Sequence, residues 1–145
     1  MKLFEALQDP FIAFIPSQLQ YCRREDVDRL HRETCEILGI SDIYPDILWS
    51  YTDKLRNALA EAEYWKDENG RNWRIKYDTR RWIALGAEGR KNTIIHEVCH
   101  HAVEKLYGHG KKESGERIED HGSHWQELML KCGEPPFPEV FWCYR

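Results

Sequence analysis

Between residues 23 and 38, Val27, Leu30, Thr34, Ile37 and Leu38 recur at three- and four-residue steps with charges between them. That period puts them on one face of a helix, and Gly39 stands where the helix should stop. Residues 42–45 then read as a turn, after which the period changes. Ile47-Leu48-Trp49-Ser50 reads as the start of a strand. Residues 59–66 read as a second strand, with Ala60, Ala62 and Tyr64 alternating against Glu61, Glu63 and Trp65. The polar stretch 52–57 between them is a turn or a single helical turn. Asp67-Glu68-Asn69-Gly70 is a turn sequence, and residues 72–78 again alternate apolar with polar. Two alternating arms around such a turn make a hairpin, with Tyr64 or Trp65 close to Trp73 across it.

Residues 80–85 read as a short helix before Gly86 and Gly89. The longest helical pattern follows, from about Arg90–Asn92 through Ile94, Ile95, Ala102, Val103 and Leu106 to Tyr107, where Gly108 and Gly110 end it. Residues 108–120 form a polar loop. Residues 123–131 form a last helix with Trp125, Leu128 and Met129 on one side, stopped by Pro135 and Pro136. Residues 1–22 are expected to supply a short helix and an extended apolar segment, and Val140-Phe141-Trp142 a docked tail. The order predicts an α+β fold: an N-terminal helix, a small mostly antiparallel sheet, a long helix and a C-terminal helix. Residues 1–145 form one domain with its core in about 23–132 and the ends packed on it.

Charge changes this picture locally. The net charge of −4 argues against a protein that coats nucleic acid over its whole surface. Between residues 71 and 91, however, Arg71, Arg74, Lys76, Arg80, Arg81, Arg90 and Lys91 stand against only Asp78 and Glu88. This segment is a solvated strand and loop face or a local DNA-contacting surface, with Trp65, Trp73 and Trp82 as residues that could stack on unpaired bases. Five cysteines, an odd number without a CxxC pair, encode neither a disulfide framework nor a zinc ribbon and suit reduced thiols in the cytoplasm. The apolar run 11–15 is too short to span a bilayer, and acidic Glu5 and Asp9 precede it where a secretion signal would be basic. A monomer away from membranes is expected.

The chemistry lies in His96-Glu97-Val98-Cys99-His100. Histidines at i and i+4 share a helix face, so His96 and His100 can turn their imidazoles to one metal ion with Glu97 beside it. A catalytic zinc takes three protein ligands and leaves a position for water. Val103 and Leu106 stand where a metzincin continuation needs Gly and His. A later glutamate, Glu116, Glu119 or Glu127, could serve instead. His121, at the start of the last helix and followed by Gly122, is the stronger candidate, and His124 is its competitor, either as ligand or as a partner of one. His101 is rotated about 100° from His100 and should face away from the metal. His31 reads as a surface or boundary residue, and His109 as a loop residue facing solvent.

Leu48-Trp49-Ser50, Leu55-Arg56-Asn57-Ala58, Trp73-Arg74-Ile75-Lys76-Tyr77, Thr93-Ile94-Ile95 leading into the histidine motif, and His121-Gly122-Ser123-His124-Trp125 together resemble the SprT-like metalloprotease family. The similarity runs over roughly residues 23–132. It implies a zincin-like domain with one catalytic Zn2+ held by His96, His100 and His121, and with Glu97 as general base. The activity it implies is that of a zinc endopeptidase, which hydrolyses peptide bonds with a Glu-assisted, zinc-bound water. Members of the family digest proteins covalently trapped on DNA, which would make DNA a partner, extend localisation to the nucleoid or nucleus, and make Arg71, Arg74, Lys76, Arg80 and Arg81 its contacts. Only Cys132 and Cys143 stand where the family frequently carries a cysteine-rich ribbon, so recruitment to DNA is expected to be local or through a partner. A strand of the sheet would hold the substrate backbone, and Tyr51, Tyr77 and Tyr107 are the candidates for steadying the oxyanion. The alternative is a zinc-stabilised DNA-binding or adaptor module without proteolytic activity, which would need a closed site such as His121 and His124 together could make.

Overall fold

The structure, a computed structural model, describes residues 19–50 and 59–138. The expectations for the first 18 residues, for 52–57 and for the tail at 140–142 lie outside the described residues. Helix α1 spans Arg24–Ile37 and buries Val27, Leu30, His31, Thr34 and Cys35. His31 is therefore not a surface residue. It stands four residues from both Val27 and Cys35, on the apolar face, and its Nε2 lies 2.7 Å from the Tyr77 hydroxyl. Gly39, at φ 73°, ends the helix as predicted. Its N–H donates to the Glu36 carbonyl at 3.2 Å while the N–H of Ile40 donates to that of Cys35 at 2.9 Å. This is a Schellman closure, and it drives Ile40 into the core.

Strands β1 (Asp46–Ser50), β2 (Ala60–Asp67) and β3 (Gly70–Asp78) form one sheet in the order β1-β3-β2. The β2–β3 hairpin is antiparallel and pairs Tyr64 with Trp73, their rings 5.8 Å apart. β1 joins the other side of β3 in parallel, so the sheet is mixed. Alternation along a strand is the same for either direction of pairing, which is why the residue pattern does not reveal the parallel edge. Trp73, Ile75 and Tyr77 turn inward from β3, while Arg74 and Lys76 remain half-buried on its other face.

Asp78 begins a short helix, α2 (Thr79–Trp82), by accepting a hydrogen bond from the Arg80 N–H at 3.0 Å. Helix α3 (Ala87–Leu106) then starts about one turn earlier than its apolar pattern suggests, with Gly86 at its N-cap. It is buried on nearly all sides, between α1, the sheet and the last helix. Arg90 on α3 is itself buried, and its guanidinium donates to the backbone carbonyls of Gln20, Leu85, Trp82 and Ile83. That removes Arg90 from the basic surface and makes it a tie between the helix and the chain before it.

Within the stretch read as loop, β4 (Gly110–Lys111) pairs with β5 (Arg117–Ile118) in a two-residue antiparallel ladder. Gly115 at φ 91° turns it and buried Ile118 anchors it. Helix α4 (Ser123–Lys131) packs Trp125, Leu128 and Met129 into the core against α3. The fold is α+β, and no helix among the described residues is long and apolar enough to cross a membrane.

Candidate metal centre

α3 carries His96 and His100 one turn apart, and the residue just before the N-cap of α4 is His121. The fold brings the three together. One nitrogen from each lies within 4.8 Å of the others, and ring centroids are 4.8 Å apart for His96 and His100, 5.1 Å for His96 and His121, and 4.8 Å for His100 and His121. The Nε2 atoms of His96 and His121 are 3.2 Å apart. Two nitrogens bound at 2.0–2.1 Å to one tetrahedral ion would lie about 3.3 Å apart, so this pair already has the right spacing. The Nδ1 atom of His96 is buried without a partner, leaving Nε2 as the ring's only polar connection.

Burial sets the charge states. It lowers the His96 pKa to about 3, helped by His100 and His121. It lowers that of His100 to about 4, with His121 adding to the effect and Asp120 opposing it. His121 is lowered too, again by burial against Asp120. All three rings are thus neutral near pH 7, with lone pairs to offer a cation, as metal ligands must be. Glu97 is buried next to them, its carboxylate 3.9 Å from His96 Nε2. Burial pushes its pKa up to about 8, although a hydrogen bond from the Ala62 backbone N–H of β2 pulls the other way.

Trp125 forms the floor of the site. Fully buried, it donates from Nε1 to the His96 carbonyl at 3.2 Å and packs its ring against His96, His100 and His121 at 4.7, 5.7 and 4.8 Å. Its apolar position on α4 was readable from the sequence, but its contact with all three histidines was not. No helical spacing signals that contact, because His121 lies before the extended N-cap Gly122 and outside the helix that carries Trp125.

The remaining histidines separate clearly. His124 turns to Glu116, 3.2 Å away, and stacks on Tyr107 at 4.1 Å, outside the three-histidine group. His101 faces away as predicted, with Nε2 2.8 Å from the Glu63 carbonyl and its ring edge-on to Trp73. His109 meets Asp120 at 2.6 Å. Among the described residues no glutamate belongs to the group. Glu116 pairs with His124, Glu119 pairs with Arg117 at 2.9 Å, and Glu127 is exposed.

The basic segment is largely matched by acids. Arg74 and Lys76 both pair with Glu63, at 2.6 and 2.8 Å, Arg71 reaches Glu104 at 3.4 Å, and Arg81 reaches Asp78 at 3.2 Å. Arg80 is exposed on α2. Trp73 and Trp82 fill the core, whereas Trp65 is exposed, with the Arg74 guanidinium 4.9 Å from the centre of its ring. Of the tyrosines, Tyr77 is buried on His31, Tyr107 lies against His124, and Tyr51 is outside the described residues.

No curated protein and no solved structure matches the chain. The sequence profile of the SprT-like family does match, over residues 29–140, a span that takes in most of α1, the sheet, all three clustered histidines and Trp125. The chain belongs to the SprT-like family and carries a three-histidine group able to hold a metal ion.

Proposed function

We propose that the protein is a zinc-dependent endopeptidase that acts on proteins held on DNA. The observation that carries the reading is the convergence of three neutral imidazoles beside a buried carboxylate that belongs to none of their hydrogen bonds. His96, His100 and His121 would hold the ion, a set of three nitrogen ligands suited to zinc with a position left open. Bound there, zinc would supply Lewis acidity towards water and a peptide carbonyl. Glu97 takes the proton of the attacking water and returns it to the leaving amine. Its pKa, which burial chiefly holds at about 8 with a smaller push from Glu61, would be lowered by a nearby divalent charge towards the near-neutral range in which a general base works best. Trp125 closes the site from below and keeps water away from the rear of the ligands.

β2 supports the choice of a peptide substrate. The Asp78 N–H donates to the Leu59 carbonyl at 2.9 Å, which by antiparallel alternation assigns Glu61, Glu63 and Trp65 to β3 and turns the backbone of Ala60, Ala62 and Tyr64 outward. Ala62 is the residue whose amide meets Glu97. A peptide added to this edge would run past the base, bound through its backbone with little demand on its sequence. The DNA part of the reading rests on Trp65 and Arg74, an exposed ring with a cation over it on the same strand pair.

A DNA-bound protein incubated with the parent and with Glu97→Gln tests the reading. Cleavage by the parent and none by the variant is expected, and equal cleavage by both would remove Glu97 as the base. In a salt titration, the absence of binding to single- or double-stranded DNA even at low salt would remove DNA from the account. The adaptor reading loses support from His124, which is paired with Glu116 instead of closing the site as a fourth ligand.

A further inference from the structure

We propose that His109 is a positioning residue for the third metal ligand, holding through Asp120 the turn that presents His121. The inference rests on the metal-site reading above and adds to it a device outside the three ligands. His96 and His100 are built into one long buried helix and need no further fixing. His121 is different, because it arrives from a mostly exposed polar stretch after the β4–β5 ladder. Two of its backbone restraints are local: Gln126 Nε2 donates to the His121 carbonyl at 2.9 Å, and the Gly122 N–H points to the Glu119 carbonyl at 3.4 Å. Both lie on the α4 side of the site. They shape the turn but do not tie it to α3.

Trp125 fastens α4 to α3 through the His96 carbonyl, and His109 ties the turn itself to the end of α3. Gly108, at φ 74°, closes α3 by donating its N–H to the carbonyls of Val103 and Glu104, so His109 leaves the helix in a defined direction. The backbone N–H of His109 then donates to the buried Glu104 carboxylate at 2.8 Å, and Arg71 holds the same carboxylate from the other side. Gly110 pairs with Ile118 in the ladder, which brings residues 109 and 119–120 side by side. There the Nε2 of His109 meets Asp120 Oδ1 at 2.6 Å, one residue before the ligand. The chain of contacts runs from the end of the metal helix, through Glu104 and His109, to the Asp120-His121 turn.

The pair is largely exposed, His109 by 44% and Asp120 by 69%, so it adds little to global stability. Its leverage is on geometry, since partners that orient ligands commonly change metal affinity by about 10- to 100-fold. The lower end, about tenfold, is expected here because solvent competes for both groups. His109→Ala removes the side-chain contact while keeping the N–H that meets Glu104. His109→Gln keeps a side-chain N–H able to reach Asp120.

The experiment reloads the metal-free full chain with zinc and measures its dissociation constant against a chromophoric chelator. The visible spectrum of the cobalt-loaded protein serves as a second readout of coordination. Expected are a roughly tenfold weaker zinc affinity and an altered cobalt spectrum for His109→Ala, a matching loss for Asp120→Ala, and substantial recovery for His109→Gln. A parent that binds tightly while His109→Ala binds equally tightly overturns the inference alone. So does an equal loss in His109→Ala and His109→Gln, which would trace the effect to something other than the contact with Asp120. A parent that takes up neither zinc nor cobalt overturns the metal-site reading and this inference with it.

Discussion

Replacing Glu97 by glutamine should stabilise the metal-free protein, and by an amount that depends on pH in a defined direction. Glu97 is buried, and its proton leaves near pH 8 in the fold against about 4.5 for an unperturbed glutamate, chiefly because burial penalises the carboxylate. The folded state therefore holds the proton more tightly than the unfolded state. The associated stability is complete below about pH 4.5 and is lost as pH rises towards 8. At about 1.4 kcal/mol per pH unit, the metal-free parent should lose roughly 3 to 4 kcal/mol between about pH 5 and pH 8 from this residue. Glutamine has nearly the same shape, keeps an oxygen to accept from Ala62 and does not titrate. The buried histidines titrate in both chains and cancel when the two are subtracted. Urea unfolding of both proteins in excess chelator, at each end of that pH range, gives the difference directly. A gap that stays constant across the range would refute the reasoning, because it would mean that the carboxylate is solvated or already partnered in the fold.

Three further outcomes follow from the geometry. His121→Ala should abolish stoichiometric zinc uptake measured by atomic absorption, whereas His124→Ala, which loses only the contacts with Glu116 and Tyr107, should retain it. Trp125→Ala should cost about 3–5 kcal/mol in denaturant unfolding because a fully buried ring is removed, while Trp125→Phe, which keeps most of the packing and loses the bond to the His96 carbonyl, should cost less. Burial holds the His31 pKa down to about 3, so its contribution is complete above pH 6.5 and is lost as pH falls towards 3. His31→Gln should move the acid-unfolding midpoint followed by circular dichroism to lower pH, relieving about 3 kcal/mol of the parent's loss near pH 4.

His96, Glu97 and His100 were legible because their relation is local, as a helix fixes the angle between i and i+4 whatever surrounds it. The hairpin was legible for the same reason, since a turn sequence and a period of two settle both arms, while the register that pairs Trp73 with Tyr64 rather than Trp65 came from the structure. His31 was misread although its spacing from Val27 and Cys35 was visible. A polar residue on an apolar face looks like a boundary until its partner is known, and Tyr77 is 46 residues away. Arg90, Trp73 and Trp82 were counted towards a basic, aromatic surface for a similar reason, because charge and ring type are read from the sequence but burial is not.

The sequence by itself determined the main helices and strands but not the β4–β5 ladder, and it determined the two-histidine helix face and a short set of candidates for the third ligand with His121 foremost. Only the tertiary structure decided that His121 joins the group while His124 turns to Glu116, that Trp125 underlies all three rings, and that β1 pairs in parallel. Backbone periodicity fixes what lies on one face of one element. The meeting of faces from different elements depends on how α3, α4 and the β4–β5 ladder pack, which no spacing within any one of them records.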